Sequence, residues 1–495
     1  MKYFMGIDIG SQSSKGVIIN EEGFIEISYS IEHEMYSPKE GYFEQDANKI
    51  WWGEFCKISK ELIYGSGISP NDIKAVGHSA TSPCIVFLDE DNNPLRNGIL
   101  YGIDTRATTE IIELTQIIGE ENLMNTGGCL LTSQSVVPKI LWVKKNEPDV
   151  YKKTKKLLSA NGYITYKLTG EYSLNIYDAV GYTGIFDIFK KQWIKNWSDN
   201  IINIEYLPIL VSPSKFIGKV NEKASLETGL KIGTFVLPGI ADAAAESIGC
   251  GMQKIGDMML MLGTSSFFIL LTNKLYKTNK FYPTNFLFDN QYVLTGGTSN
   301  CGSAIVWFMN NFMNGNKSDE AYKNIFEEVI NDREINESSP IIIPYFAGER
   351  TPINNSKAKA IFFGLSLSHS RGDIYKSILE SIAYTIKDNI EEIKKITSVN
   401  NIYAIGGATR NDMLLQFISD ICNCKIKIPK VYVGAPFGDA ILAYKAYDNE
   451  IDMNNYIKIE KEVIPNSKYK KQNLYNKRYF IFKSLYNDTK YLLNL

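Results

Sequence analysis

Apolar and polar positions divide the chain into strand-like and helix-like runs from its first residues. "KYFMGIDI" (2–9), "SKGVIIN" (14–20) and "FIEISYS" (24–30) are apolar and β-branched and read as sequential strands. "DANKIWWGEFCKISKELIYG" (46–65) has helical spacing, with Asp46 as its expected N-cap and Gly65 at its end. "IKAVGHSATSPCIVFLDEDNNPL" returns to strand, loop and strand, with a turn at Asp91-Asn92-Asn93-Pro94. Residues from roughly 106 to 200 read as mainly helical, and "TFVLPGIADAAAESIGCGM" then enters a new strand and helix. Hairpin strands followed by alternating strands and helices predict mixed α/β layers. A chain of 495 residues exceeds one ordinary core, so two large domains are expected, 1–236 and 237–495.

The opening pattern returns once. In "MGIDIGSQSSKGVIIN" an apolar strand carrying Asp8 stops at Gly10, crosses Ser11, Gln12, Ser13 and Ser14, and is apolar again by Val17. "MMLMLGTSSFFILLT" (258–272) has the same build, with Gly263, Thr264 and Ser265 in the turn. Aligning Gly10 with Gly263 puts Met261 opposite Asp8, so only the first hairpin offers a carboxylate. Either hairpin alone is compatible with a solvated surface turn. A pair, one near the head of each half, points to a duplicated domain with a site between the halves. Small turn residues expose backbone N–H groups as an anion nest, glycine permits close approach of a phosphate, and a nearby carboxylate can hold Mg²⁺. The stretch contains neither G-x-x-x-x-G-K-[ST] nor G-x-G-x-x-G, which excludes a P-loop and a dinucleotide fingerprint.

Two further segments carry chemistry. In "FVLPGIADAAAESIGCGM" (235–252) Asp242 falls at or near a helix N-terminus, either as a plain N-cap or as a general base kept ionised there. In "IYAIGGATRNDMLLQFISDICNCKIKIP" (402–429) a strand ends at Gly406-Gly407 before a helix from about Asn411 to Cys422. Those glycines either join two elements or let the chain approach a nucleotide phosphate.

Composition narrows the classes. A formal charge of −2 gives no electrostatic footprint for nucleic acid or an anionic membrane. Three histidines, with only Cys422 and Cys424 close together among the cysteines, make no zinc site. The start lacks the features of a signal peptide, and the longest apolar run (258–271) is too short to span a bilayer. Free thiols and a cytoplasmic location are expected.

With these pieces in order, "AIFFGLSLSHSRGDIYKSILE" (360–380) resembles the C-terminal pattern of the FGGY family of carbohydrate kinases. It matches at Ala360, Phe362, Gly364, Leu365, Asp373, Ile374, Ser377, Ile378 and Glu380, and reads as a turn at Gly364 with Asp373 capping a long helix. "GYFEQDANKIWW", "KILWVKKNEP", "YITYKLTG" and "PYFAGERTP" also resemble family segments. The resemblance implies two RNase H-like (actin-like ATPase) domains, each a mixed β-sheet flanked by helices, with ATP and sugar in a cleft that closes against water. It implies Asp8 as the Mg²⁺-associated carboxylate, Gly10, Ser11, Gln12 and Ser13 as the first phosphate hairpin, and Gly263, Thr264 and Ser265 as the second. By the same resemblance Asp242 is the catalytic base, Gly406, Gly407 and Asn411 form the adenosine segment, and Gly302 lies in a stretch bordering the nucleotide. ATP, Mg²⁺ and a small sugar are the implied ligands, and a homodimer is expected by analogy. "KYKKQNLYNKRYFIFKSLYNDTKYLL" is expected as a basic amphipathic C-terminal helix.

Departures from the family pattern bear on the sugar. Glycerol kinases carry Arg-Glu where this chain has Ser82-Pro83, and a substrate tyrosine where it has Gln134, which disfavours glycerol. Xylulokinases usually carry Gln-Met-His where this chain has Thr81-Ser82-Pro83, and often Asn at Ala243. "ILYGIDTRATTE" and "IADAAAESIGCG" nonetheless resemble a divergent xylulokinase-like group. The expected activity is an ATP-dependent pentulose kinase, D-xylulose first. Ribulose, an erythritol-type polyol and a non-catalytic actin-like binding protein are the alternatives. Thr81, Ser82, Asp104 and Arg106 are candidate sugar contacts, with an internal Asp104–Arg106 ion pair as the competing reading and His78 as a packed strand-end residue.

Overall fold

A computed structural model describes residues 1–316, 318–331, 334–430, 433–466 and 469–494. The chain forms two compact units, one of residues 1–253, 273–293 and 431–457, the other of 254–272, 294–430 and 458–495.

In the first unit Tyr3–Ile9 pairs antiparallel with Ser13–Asn20, which pairs antiparallel with Ile25–Glu32. On its other side Tyr3–Ile9 runs parallel to Ile73–Ala80, and Phe235–Val236 and Ile240–Ala241 add to the far edge of that strand. The two central strands are buried on both faces, whereas Ile25–Glu32 alternates half-buried and exposed residues, as an edge strand with one solvated face does. Asp46 caps as expected, accepting from the N–H groups of Asn48 and Lys49. The helix opens with a π-helical stretch, Ala47–Glu54, continues as Phe55–Ser66, and ends on left-handed Gly67 rather than on Gly65. Phe55, Ile58 and Leu62 lie fully buried in the core of this unit, each contributing about 1.5–3 kcal/mol of burial.

These units do not coincide with a cut at residue 236. The helices Asp242–Gly249 and Ala435–Tyr447 group with the first sheet, and the cause is backbone packing. A Cβ on Gly6 would lie 1.9 Å from the Pro436 carbonyl oxygen, one on Gly77 2.2 Å from that of Asp439, and one on Gly438 1.8 Å from that of Ala245. Any side chain at these positions would force the backbones apart.

In the second unit Asp257–Leu262 and Ser266–Thr272 form the hairpin, and Asn401–Ile405 runs parallel to the former. Tyr292–Thr298 lies beyond Ser266–Thr272, and Ile426–Pro429 and Ile459–Val463 complete the sheet on the other side. The long helix Arg371–Lys394 is capped by Ser370, not by Asp373. Ser370 accepts from the Asp373 N–H while the Asp373 carboxylate accepts from the Ser370 N–H, a reciprocal capping box. The C-terminal helix Tyr469–Thr489 docks on it through Arg478, which donates from Nε to Glu380 Oε1 at 2.8 Å and from a terminal nitrogen to Oε2 at 2.6 Å. Lys468, in the segment expected to form that helix, lies outside the described residues. Among the described residues no helix is long and apolar enough to cross a membrane.

Candidate active site

The first hairpin turn closes with the Gly10 N–H donating to the Ser13 carbonyl at 3.0 Å. It is braced from outside: Gln45 Nε2 donates to the Gly10 carbonyl at 3.0 Å, and the His33 N–H to the Gln12 carbonyl at 3.0 Å. Asp8 stands two residues before this turn, opposite Lys15 on one side and Ser79 on the other. The Ser79 hydroxyl lies 3.0 Å from Asp8 Oδ1 and 2.6 Å from Asp439 Oδ2. A hydroxyl has one proton to give, so satisfying both carboxyls requires another proton or a cation nearby. Asp439 is 1% exposed, and its Oδ1 has no hydrogen-bond partner among the described residues.

Burial pushes the Asp439 carboxyl well above the usual carboxylate range, and the charges of Asp8 and Asp242 add to this. Asp8 is raised by its surroundings and then by Asp242 and Glu246, against the pull of the Ser79 hydroxyl and Lys15. Among the described residues no three His, Cys, Asp or Glu side chains form a metal cage. Two carboxyls short of positive charge, one with an orphaned oxygen, suit Mg²⁺, which takes one or two carboxylates and keeps several waters.

Asp242 is the first residue of its helix. The N-cap is Ala241, so Asp242 is not the plain N-cap that its position also allowed. Its Oδ1 accepts from the Ala243 N–H at 2.7 Å. Burial pushes its pKa up to about 6, with the Ala243 N–H pulling it down and the Asp178 charge adding to the rise. A carboxyl raised in this way accepts a proton more readily than an ordinary carboxylate. Tyr101 stands beside it: burial raises its phenol, the Asp242 charge raises it further, and the Ser11 hydroxyl opposes both.

The sugar-side expectations separate. Thr81 and Ser82 follow directly on Ile73–Ala80, with the Thr81 N–H donating to the Ile9 carbonyl at 3.0 Å and Ser82 half-buried. Asp104 and Arg106 do not present themselves to a substrate. Arg106 Nε lies 3.0 Å from both Asp104 oxygens, another guanidinium nitrogen pairs with Glu44 at 2.9 Å, and the Arg106 and Asp104 side chains are 1% and 0% exposed. Arg106 also stacks on Tyr42 and Trp142. The internal ion pair is therefore the reading the geometry supports, because no surface of either group is left for a ligand. His78 is buried, pushed down to about 3 by burial and 3.1 Å from Thr165 Oγ1, which makes it a neutral packed histidine.

In the second unit the Gly263 N–H donates to the Ser265 carbonyl at 3.0 Å. The N–H groups of Gly302 and Ser303 donate to the carbonyls of Gly263 and Thr264, both at 2.9 Å, so this turn sits on the first residues of the helix Gly302–Phe312. Arg350 donates to the Ser266 carbonyl at 2.8 Å and the Thr298 carbonyl at 2.6 Å. Glu349 Oε1 holds the Ser299 and Arg350 N–H groups at 2.7 Å. Gly406 adopts φ 96°, and a Cβ there would lie 2.7 Å from the Leu262 carbonyl oxygen, whereas Gly407 faces open space. Asn411 caps the helix Asp412–Cys422. Its Oδ1 accepts from the Leu414 N–H at 3.0 Å and its Nδ2 donates to the Tyr375 hydroxyl at 3.1 Å.

Sequence reasoning missed Ser79, Asp439, Tyr101 and Arg350. Asp439 did leave a signal: it interrupts "FGDAILA", an otherwise small and apolar run, where a carboxylate needs a reason.

A turn with carboxyls behind it in one sheet thus stands where the other sheet has a turn whose carbonyls accept from the first N–H groups of a helix. The chain belongs to the FGGY family of carbohydrate kinases: the N-terminal domain of that family matches residues 3–249 and the C-terminal domain residues 258–447. It is 29% identical over 452 residues to a xylulose kinase of Bacillus subtilis, covering 90% of this chain and 88% of that one. Among solved structures, a xylulose kinase from Rhodospirillum rubrum superposes with a TM-score of 0.93 at 22% identity, covering all of both chains. A gluconate kinase from Lactobacillus acidophilus superposes with a TM-score of 0.89 at 22% identity, covering 99% of this chain and 98% of that one. The protein is an ATP-dependent carbohydrate kinase, and the two structural likenesses carry the fold without the sugar.

Proposed function

We propose that this kinase transfers the γ-phosphate of ATP to a hydroxyl of a pentulose, D-xylulose first, with Asp242 as the base. The observation that carries the reading is the Asp242 carboxyl at the first residue of its helix, its Oδ1 accepting from the Ala243 N–H at 2.7 Å, on a chain of this kinase family whose relatives include a xylulose kinase. Phosphoryl transfer has a loose transition state, so it asks for alignment and charge stabilisation more than for a strong base. Asp242 orients the attacking hydroxyl and takes its proton. Thr81 and Ser82 contact the sugar, and each hairpin turn offers N–H groups to phosphate oxygens. Gly406 and Gly407 let the backbone approach the nucleotide. Asp8, with Asp439 behind it, would hold Mg²⁺, which when bound neutralises charge on the phosphate oxygens.

A screen of ADP release across D-xylulose, D-ribulose, erythritol and glycerol tests the substrate, and D-xylulose is expected to give the highest kcat/KM. Asp242→Ala is expected to lower kcat by about 10³-fold while ADP still binds. Near-normal turnover in that variant would remove the base assignment.

A further inference from the structure

The backbone that delivers Asp242 runs through an interrupted strand. Phe235–Val236 pairs with Ala75–Val76 and Ile240–Ala241 with Ser79–Ala80, and between them Gly239 turns to φ 69°. At this break two buried asparagines grip consecutive carbonyls. Asn175 Nδ2 donates to the Gly239 carbonyl at 2.8 Å, and Asn161 Nδ2 to the Ile240 carbonyl at 2.7 Å. Each amide uses its other hydrogen on the same acceptor, Asp178 Oδ2, at 3.0 Å and 2.8 Å. The Asp178 N–H donates to Asn175 Oδ1 at 2.9 Å, which fixes the orientation of that amide. All three side chains belong to residues no more than 3% exposed.

A site needed only for packing would be filled more cheaply by apolar side chains, since a buried carboxyl held by amides costs desolvation. What the arrangement supplies is a fixed backbone path. We infer that Asn161, Asn175 and Asp178 are positioning residues that lock the Gly239 and Ile240 carbonyls and thereby aim the carboxylate of Asp242. None of the three needs to touch the sugar or ATP. The inference rests on Asp242 being the base. A base acts only within hydrogen-bond reach of the proton it takes, and a displacement of about 1 Å costs on the order of 10²-fold in rate.

The test uses the full chain with D-xylulose, or the sugar that turns over fastest in the screen, and measures kcat, both KM values and ADP-binding stoichiometry. Asp178→Ala is expected to lower kcat by about 10²-fold with KM for ATP and ADP stoichiometry unchanged. Asp178→Asn keeps one oxygen that can accept from both amides and is expected to restore most of kcat, which loss of general stability would not predict. If Asp178→Ala does not fold, Asn175→Ala removes one grip alone and is expected to lower kcat by about tenfold. A folded, ADP-binding Asp178→Ala or Asn175→Ala with wild-type kcat would overturn the inference, as would parallel loss of ADP binding and kcat without rescue by Asn. Asp242→Asn runs alongside: wild-type turnover there would instead overturn the base assignment.

Discussion

The two hairpins share a backbone plan and differ in what stands behind it. In the first sheet the position two residues before the turn is Asp8, flanked in register by Lys15 and Ser79. In the second sheet the same position is Met261, flanked by Phe267 and Ile405. The first turn is backed by carboxyls, from Asp8 through Ser79 to Asp439. The second is backed by the Arg350 guanidinium and by the opening of the helix at Gly302. In that register the parallel strand continues as Ala80-Thr81 in one unit and as Gly406-Gly407 in the other. A turn closed by its glycine N–H on a carbonyl two or three residues on is thus the common property. The side chains one layer behind differ, carboxyls at the first turn and a guanidinium at the second, and under the proposed function that difference assigns the cation and the proton to the first turn.

The sharpest way to break this contrast is to give the first hairpin the residue of the second. Asp8→Met is expected to lower kcat by about 10³-fold, because removing metal-linked charge stabilisation costs several kcal/mol, about 4. Calorimetric Mg²⁺ binding in the presence of ADP should weaken in parallel, and unchanged binding would show that Asp8 is not the asymmetric feature. The second effect follows from the carboxyls around the first hairpin. As the proposed base Asp242 must be ionised to accept a proton, and burial raises its pKa to about 6. The sugar kcat/KM is therefore expected to be flat above that value and to fall about tenfold per pH unit below it. A profile flat down to the ordinary carboxylate range would mean that the base is elsewhere.

Much of this contrast was legible in the residues. Two apolar strands around Gly10 and Gly263, with a carboxylate in one copy only, needed no structure to be seen. What could not be read was anything set by approach across the fold. Asp439 meets Ser79 only because the glycines at 6, 77 and 438 let a helix backbone press on two strands and on another helix, and spacing along the chain does not report that. The same limit applied to Arg106, whose second carboxylate partner, Glu44, is distant in sequence. Capping was legible as to type but not as to owner. "SRGD" contains both halves of a capping box, and only the backbone shows that Ser370 is the cap and Asp373 its third-position partner.

The converse exchange, Met261→Asp, should be milder. A carboxylate two residues before the second turn repels phosphate across a partly solvated gap, worth about 1–4 kcal/mol for charges near 4 Å, and KM for ATP is expected to rise about tenfold. Met261→Asn, close in size and uncharged, should lose most of that effect. If both variants raise KM equally, shape rather than charge separates the hairpins.

The smallest effect concerns Asn411, which the family resemblance places at the adenosine. Both ends of its amide are already engaged, one on the Leu414 N–H and one on the Tyr375 hydroxyl. Asn and Asp cap helices about equally well and Ala does not, so Asn411→Ala is expected to cost about 1 kcal/mol of stability and Asn411→Asp close to none. In a chain of 495 residues that is a shift of about 2 °C or less in Tm. KM for ATP should hardly move in either variant if the backbone of Gly406-Gly407, rather than the Asn411 side chain, approaches the nucleotide. A several-fold rise in KM for Asn411→Asp, with its Tm intact, would show that the amide reaches the nucleotide directly. The second unit would then recognise the nucleotide by a side chain as well as by its exposed backbone.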